Sequence, residues 1–318
     1  MKATILLLSV DEAPMLGYSL PAAMAQGGAS VLVVDNASSD GTRALAERHG
    51  ARLISLAQRR SYAAAINEGL GSVDGDAVLL LNADCFLQPG FLAAALARLA
   101  ADPGVGSVAP KLLRICGPGE LSEPAEIDTV GMVLTRWRKN GLAGHARPAA
   151  RFAEPGEAFG ADGAAALYRR RTLEDCALNG REVLDEDMEL WASDADLAWR
   201  AQLLGWRCVY EPRAVAHHLR TYSPSTRAQM SEQARRMQFR NRYLMMAKNE
   251  TARGLARDLP LLLGYEALAL GHAVLRERFL LAGYREAWRL RAGARRRRAL
   301  IQARVKVAVP PFGLRVRE

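Results

Sequence analysis

Four short apolar runs in the first third of the chain, residues 5–10, 31–34, 53–56 and 77–81, alternate with helical patterns such as residues 62–70 and 90–100. That alternation confines the chain to the α/β class. Apolar runs this short, bounded by turn residues, read as strands buried on both faces, and strands separated by helices pair in parallel. A mainly parallel central sheet with helices on its faces is expected. The polar stretch Asp35-Asn36-Ala37-Ser38-Ser39-Asp40-Gly41 ends the second strand as a turn and opens a helix near Thr42, and Asn82-Ala83-Asp84 ends the fourth strand. In open α/β sheets, ligands gather outside such carboxyl ends.

Beyond a strand at residues 106–109 the pattern weakens from 116 to 157, where a hairpin around 128–141 is expected as an insertion over the active face. Regularity returns with a strand at 164–168, a helix at 194–204 closed by Gly205, and a short strand at 207–210 ended by Pro212. Residues 229–249 read as helical, and so do 253–307, with Leu, Ala and Tyr on one side and Arg on the other. Arg295 to Arg298 is the most basic point. This divides the chain into an α/β body, residues 1–228, and a helical C-terminal region, residues 229–318.

Charge follows the same division. Residues 252–318 carry 15 basic and 5 acidic side chains, against 28 and 29 in residues 1–251, so the net charge of +9 is a basic tail on a near-neutral body. A basic amphipathic helix of this kind suits an anionic membrane surface. No aromatic platform or groove-reading motif accompanies the arginines, which argues against nucleic acid. The most apolar stretch, residues 260–274, is short for a span and contains Glu266 and His272. The four cysteines form no Cys-x-x-Cys pair, and no cleavage site follows the first apolar run. A reducing cytosol, with the protein held peripherally on the inner face of the cell membrane, is therefore expected.

Three acidic features fall where one α/β site could collect them: Asp35, Asp84, and Asp194 with Asp196 at a helix start. A carboxylate at a strand end can accept a hydrogen bond from the imide N–H of uracil or thymine, and one in a turn can hold a hard divalent cation that bridges phosphates. Each residue also has a structural reading. Asp35 and Asp40 suit a turn and a helix cap, Asp84 an Asx-turn, and Ser193-Asp194-Ala195-Asp196 a helix start that favours acids.

Taken in order, Val34 to Thr42, Leu81-Asn82-Ala83-Asp84, Gly160-Ala161-Asp162-Gly163-Ala164-Ala165, and Asp194-Ala195-Asp196-Leu197-Ala198-Trp199-Arg200 with Gly205-Trp206-Arg207 resemble the signatures of family 2 glycosyltransferases with the GT-A fold. The resemblance is nearest to the bacterial rhamnosyltransferase-like branch and spans roughly residues 3–250. It implies a base-recognition role for Asp35 and makes Asp84 the last acid of the Asp-x-Asp metal motif. Asp194 becomes the general base, and His218, or its neighbour His217, closes the metal or pyrophosphate site. Asn36, Asn67 and Asn82 fall on the donor side, and Asp162, Gly163, Trp199 and Arg200 on the acceptor side. The resemblance implies inverting transfer of L-rhamnose from dTDP-rhamnose onto a lipid-linked or cell-envelope polysaccharide acceptor, assisted by Mg²⁺ or Mn²⁺.

Several positions depart from the family pattern. Ser193 stands where glutamate is usual, Asn82 where the first carboxylate is, and Ser61 where glycine is. Ser9-Val10-Asp11-Glu12 lacks the usual asparagine and offers Asp11 as a further base or ribose contact. Two other classes remain in view. A nucleotidyltransferase would need a Gly-rich basic loop near the first strand, which residues 9–17 lack. A non-catalytic membrane or nucleic-acid binding module would use only the basic tail.

Overall fold

The structure, a computed structural model, describes residues 1–318 apart from 122, 224 and 225. β1 (Ala3–Ser9) pairs in parallel with β2 (Ala29–Asp35), β2 with β3 (Arg52–Ser55), and β1 on its other side with β4 (Ala77–Asn82). Helices α1 (Ala13–Met24), α2 (Thr42–Arg48) and α3 (Tyr62–Leu70) connect them. β1 is buried along its whole length, and its side chains alternate between two cores. Leu6 and Leu8, with Leu32 and Val34 of β2, join Ala63 and Ile66 of α3 on one face, while Ile5 and Leu7 join Leu16 and Leu20 of α1 on the other. Each fully buried Leu or Ile stabilises by about 1.5–3 kcal/mol, so a one-residue slip that turned these residues outward would be prohibitive. α3 lies close on the sheet because it carries Gly69 there: a Cβ at that position would stand 2.7 Å from side-chain atoms of Leu6 and Val34.

The rest of the body is β5 (Cys85–Leu87), α4 (Phe91–Ala100), β6 (Val105–Gly117), β7 (Glu120–Leu121), β8 (Ile127–Thr129), β9 (Met132–Leu134), β10 (Asn140–Leu142), β11 (Gly156–Ala158), β12 (Ala165–Arg169), α5 (Arg170–Cys176), α6 (Ser193–Leu203) and β13 (Arg207–His218). The main sheet runs β11-β13-β6-β12-β4-β1-β2-β3. β13 is parallel to β6, whereas β12 is antiparallel to both of its neighbours, so the sheet is mixed but mainly parallel, as the GT-A class requires. β9 and β10 form the hairpin expected near residues 128–141.

Two strands run past their expected ends. β6 continues for 13 residues into the stretch read as irregular, and β13 runs 12 residues, straight through Pro212. The β13–β6 register shifts between Glu211 and Val215, which leaves the proline where the ladder asks for no N–H. That irregularity lets β13 continue to His218. α1, with Pro21 inside it, has no counterpart among the expected helices.

The C-terminal region is not one run from 253 to 307. α7 (Glu232–Asn249) and α8 (Ala252–Leu275) are followed, after a turn of 3-10 helix at Arg278–Leu280, by α9 (Leu281–Arg289) and α10 (Arg291–Gln302). Leu244, Met245, Ala294 and Ile301 pack in one cluster with Trp199 and Leu203 of α6. Buried ion pairs reinforce that contact. Arg138 of the β9–β10 hairpin bonds Glu250 at 2.7 Å and Asp258 at 2.7 Å, and Lys248 lies against Asp185 and, at 3.0 Å, Asp196. α8 also corrects the expectation set by residues 260–274: it begins at Ala252, and its 24 residues are long and apolar enough to cross a bilayer.

Candidate active site

The carboxyl ends of β2, β4 and β13 meet the start of α6 on one edge of the sheet. Asp35 ends β2 and is buried; its Oδ1 accepts the Ser38 amide at 2.9 Å and so holds the turn, while Oδ2 faces Arg43 at 3.8 Å. Asp11, in a left-handed backbone conformation, reaches across to the same turn. It accepts the Ser39 amide at 2.7 Å and pairs with Arg59, whose hydrogen bond holds the carboxyl down at about 2.

Asp84 follows β4. Its Oδ1 is buried without a hydrogen-bond partner and lies 3.4 Å from His218 Nε2. The other ring nitrogen of His218, Nδ1, is bonded to Asp128 Oδ2 at 2.8 Å. Burial opposes a charged His218, but the Asp128 hydrogen bond and the Asp84 carboxylate outweigh it and raise the ring to about 9. His217, the preceding residue on the strand, turns the opposite way and meets Gln88 at 3.3 Å. Of the adjacent His217 and His218, His218 is therefore the one that faces Asp84.

Asp194 lies in the first turn of α6, where its Oδ1 accepts the Ala195 amide at 2.8 Å and its Oδ2 the Gly163 amide at 3.2 Å. Burial, and then the nearby Asp162, push it up to about 6 in spite of those amides. Asp162 accepts the Ala164 amide at 3.0 Å and Arg220 Nη2 at 2.9 Å. A methyl placed on Gly163 would stand 3.5 Å from both Asp194 Oδ2 and the Tyr62 hydroxyl, so Tyr62 shares the pocket. Backbone strain gathers here too: Asp11 and Ala37 beside the β2 turn, and Glu189 and Ala192 before Asp194, all have positive φ without being glycine.

Not every expected residue arrives. The Asn36 amide is spent on the Arg60 backbone, donating at 2.9 Å and accepting at 2.8 Å. Asn67 is spent on Val183, Leu184 and Glu186, so both asparagines are clamps between loops, and Asn67 has no capacity left for a sugar-nucleotide. Asn82 stays half-buried at the end of β4. Trp199 and Arg200 are corrected most plainly. Five and six residues along α6 from Asp194, they are fully buried in the core: Trp199 packs edge-on to Phe312 at 5.3 Å, and Arg200 pairs with Asp196 at 3.0 Å and bonds the Val183 carbonyl at 2.8 Å.

Two residues join the site unannounced by any motif. Asp128, fully buried before the hairpin, accepts from both His218 and Arg220 (2.7 Å), and those two bonds hold its carboxyl far down against the effect of burial. Arg220 bridges Asp128 to Asp162 and so ties the histidine side of the site to the Asp194 side. The only trace of it in the sequence is its place two residues after His218.

Asp84 and His218 suit a divalent cation. Asp84 Oδ1 accepts no hydrogen bond and faces His218 Nε2, where a cation would take the place of the ring proton, and Asp128 holds Nδ1 and aims the imidazole, as second partners of metal-bound histidines do. Among the described residues no third His, Cys, Asp or Glu completes a cage. That suits an ion which keeps waters and takes its remaining ligands from substrate phosphates.

The sequence profile of glycosyl transferase family 2 matches residues 4–176. A curated relative from Mycobacterium tuberculosis, named an uncharacterized glycosyltransferase, is 34% identical over 122 residues, 38% of this chain and 53% of its own length. A Mycobacterium bovis relative matches equally. The chain thus spans about half the length of the curated relatives it matches. Among solved structures, S. aureus TarS 1–349 in complex with UDP-GlcNAc is similar at TM-score 0.60 and 16% identity, over 96% of this chain and 89% of that one. The mannosyltransferase PcManGT from Pyrobaculum calidifontis, with GDP-Man and Mn²⁺, gives 0.53 and 21% over 95% and 85%, and GalNAc-T7 with UDP, GalNAc and Mn²⁺ gives 0.59 and 12% over 78% and 48%. At such identities the likeness is one of fold.

Proposed function

The chain belongs to glycosyl transferase family 2, and from that premise we propose that it transfers a sugar from a nucleotide-diphosphate donor to an acceptor hydroxyl with inversion at the anomeric carbon. The observation that carries the reading is the pairing, on one sheet edge, of a carboxylate poised near neutrality, Asp194, with one, Asp84, whose buried Oδ1 accepts no hydrogen bond and faces His218. Asp194 takes the proton of the acceptor hydroxyl as its oxygen bonds to the anomeric carbon. The bond from that carbon to the diphosphate oxygen breaks on the opposite face, and its electron pair leaves with the nucleotide. The Gly163 and Ala195 amides hold Asp194 in place for this, and Arg220 keeps the charge of Asp162 in check beside it. A divalent cation bound by Asp84 and His218 would supply charge neutralisation for the departing diphosphate. Asp35, at the end of β2, receives the base.

L-rhamnose from dTDP-rhamnose is the donor we favour, on the resemblance of the ordered motifs to the rhamnosyltransferase-like branch. A lipid-linked or cell-envelope polysaccharide is the favoured acceptor, met at the inner face of the cell membrane. Residues 1–228 would do the chemistry and 229–318 would hold the protein at that surface. Titration calorimetry with dTDP, UDP, GDP and ATP, each with and without Mg²⁺ or Mn²⁺, tests the reading. Selective binding of one pyrimidine diphosphate supports it, and binding of none would sink it.

A further inference from the structure

α8 is pinned to the body along a narrow seam and bare elsewhere. On the seam, Asp258 is fully buried and accepts from Arg136 at 2.6 Å and Arg138 at 2.7 Å, and Glu266 accepts from Arg242 and the Tyr243 hydroxyl, each at 2.6 Å. The rest of the helix faces outward. Leu263, Leu268 and Leu275 are 62%, 75% and 80% exposed, with Leu255, Leu259 and Leu270 also exposed. Across residues 259–275 the outward arc carries no acid, lysine or arginine, Glu266 being turned inward. A helix packed on a soluble body puts polar side chains on such an arc, and an apolar patch of this extent marks an interaction surface.

Its ends identify the occupant. Arg253 stands exposed before the arc and Arg276 and Arg278 after it, while Arg257 is held to Asp258, so a strip of leucines lies between cations at both ends. Trp137, itself exposed, stacks on Tyr265 of α8 at 6.3 Å and adds an aromatic of the kind that settles at headgroup level. We infer that the outward arc of α8 lies flat in the headgroup and upper acyl region of an anionic phospholipid leaflet, with its flanking arginines on the phosphates. The helix is long enough to cross, but crossing would strip Asp258 and Glu266 from their arginine partners, so it lies on the leaflet. This extends the proposal of a membrane-held acceptor and moves the contact away from the arginine run of α10. There Arg297 turns inward to Glu182 at 2.7 Å and to Asp187, and Arg298 bonds the Glu250 carbonyl at 2.7 Å.

The test is flotation of the full chain on vesicles of phosphatidylcholine mixed with phosphatidylglycerol, beside Leu263→Gln/Leu268→Gln and Arg295→Gln/Arg296→Gln. Both leucines are exposed, so an unchanged thermal transition is expected for the first variant. The expected result is wild-type binding that falls by at least about tenfold in the leucine variant and much less in the arginine variant. Wild-type protein that stays off the vesicles, or a leucine variant that binds undiminished, would overturn it. So would sedimentation showing a wild-type dimer that the leucine variant dissolves, because a second copy would then cover the arc. Nucleotide titration of the same samples separates the two proposals. Leucine-dependent flotation without nucleotide binding would leave the surface standing and remove the transferase reading.

Discussion

Asp84 and Asp194 at the sheet edge are treated unlike the acids of the C-terminal helices. In the helical region the acids turned toward the body are met by arginine: buried Asp258 by Arg136, Arg138 and Arg257, and half-buried Glu266 by Arg242 and Glu277 by Arg227 and Arg235. At the sheet edge Arg220 braces Asp128 and Asp162 in the same way, but Asp84 keeps an oxygen that accepts no hydrogen bond, and Asp194 sits beside Asp162 with only backbone amides bonded to it. The first arrangement fixes structure. The second stores unfavourable charge that a cation, a proton or a phosphate would relieve, which is how binding and catalytic sites differ from braces.

Asp194→Asn should break that comparison most sharply. Loss of the base should lower turnover by about 10²–10⁴-fold while nucleotide binding changes little, as single-turnover kinetics and calorimetry would show. The wild-type rate should climb as pH rises through about 6, where Asp194 ionises. Stability should move the other way. The folded pKa lies above the usual 3.8, so the stability tied to this carboxyl is complete below about 4 and lost as pH rises through about 6. Asp194→Asn should therefore melt higher than wild type at pH 8, and the gain should vanish at pH 4. On the bracing side, Arg138→Met leaves Glu250 buried without its main partner and should cost about 3 kcal/mol in urea unfolding, with Asp194 chemistry unaltered per folded molecule. Equal effects of the two variants on folding and turnover would dissolve the distinction.

The sequence carried the sheet edge further than it carried the helices, for physical reasons. Short apolar runs and polar turns are local signals, so β1, β2, β4 and α3 fall within about two residues of their expected places, and the acids that end the strands come with them. Asp128 and Arg220 are set by tertiary contacts between segments 92 residues apart, and no periodicity records that. Trp199 and Arg200 share a motif with Asp194, yet a helix advances 100° per residue and carries them into the core. Pro212 read as a stop because a proline lacks a ladder N–H, but the register shift after Glu211 excuses it. In the tail, composition showed basic and apolar halves. Which arginines face inward depends on where Glu182, Asp187 and the Glu250 carbonyl come to rest.

A smaller effect sharpens the comparison at the histidine. Asp128→Asn keeps the size of the side chain but weakens its hold on His218 Nδ1, so the imidazole loses its fixed tautomer and some of its basicity. Mn²⁺ affinity, measured by calorimetry with the nucleoside diphosphate present, should fall by about 10–100-fold, and nucleotide affinity without metal should hold. An unchanged Mn²⁺ affinity would make Asp128 a brace like Asp258.

The smallest contrast is between neighbours. Asp35 and Asn36 are both buried at the end of β2, but Asp35 keeps one carboxylate oxygen free of any hydrogen bond among the described residues, whereas both the nitrogen and the oxygen of the Asn36 amide are bonded to the Arg60 backbone. Asn36→Ala should therefore cost stability, about 1–2 kcal/mol for a lost two-way clamp, and leave the nucleotide dissociation constant within about twofold. Asp35→Ala should weaken nucleotide binding by about tenfold through the lost base contact. If Asn36→Ala weakens the nucleotide as much as Asp35→Ala does, the 35–41 turn works as one rigid donor loop, and the free oxygen of Asp35 is not what distinguishes it.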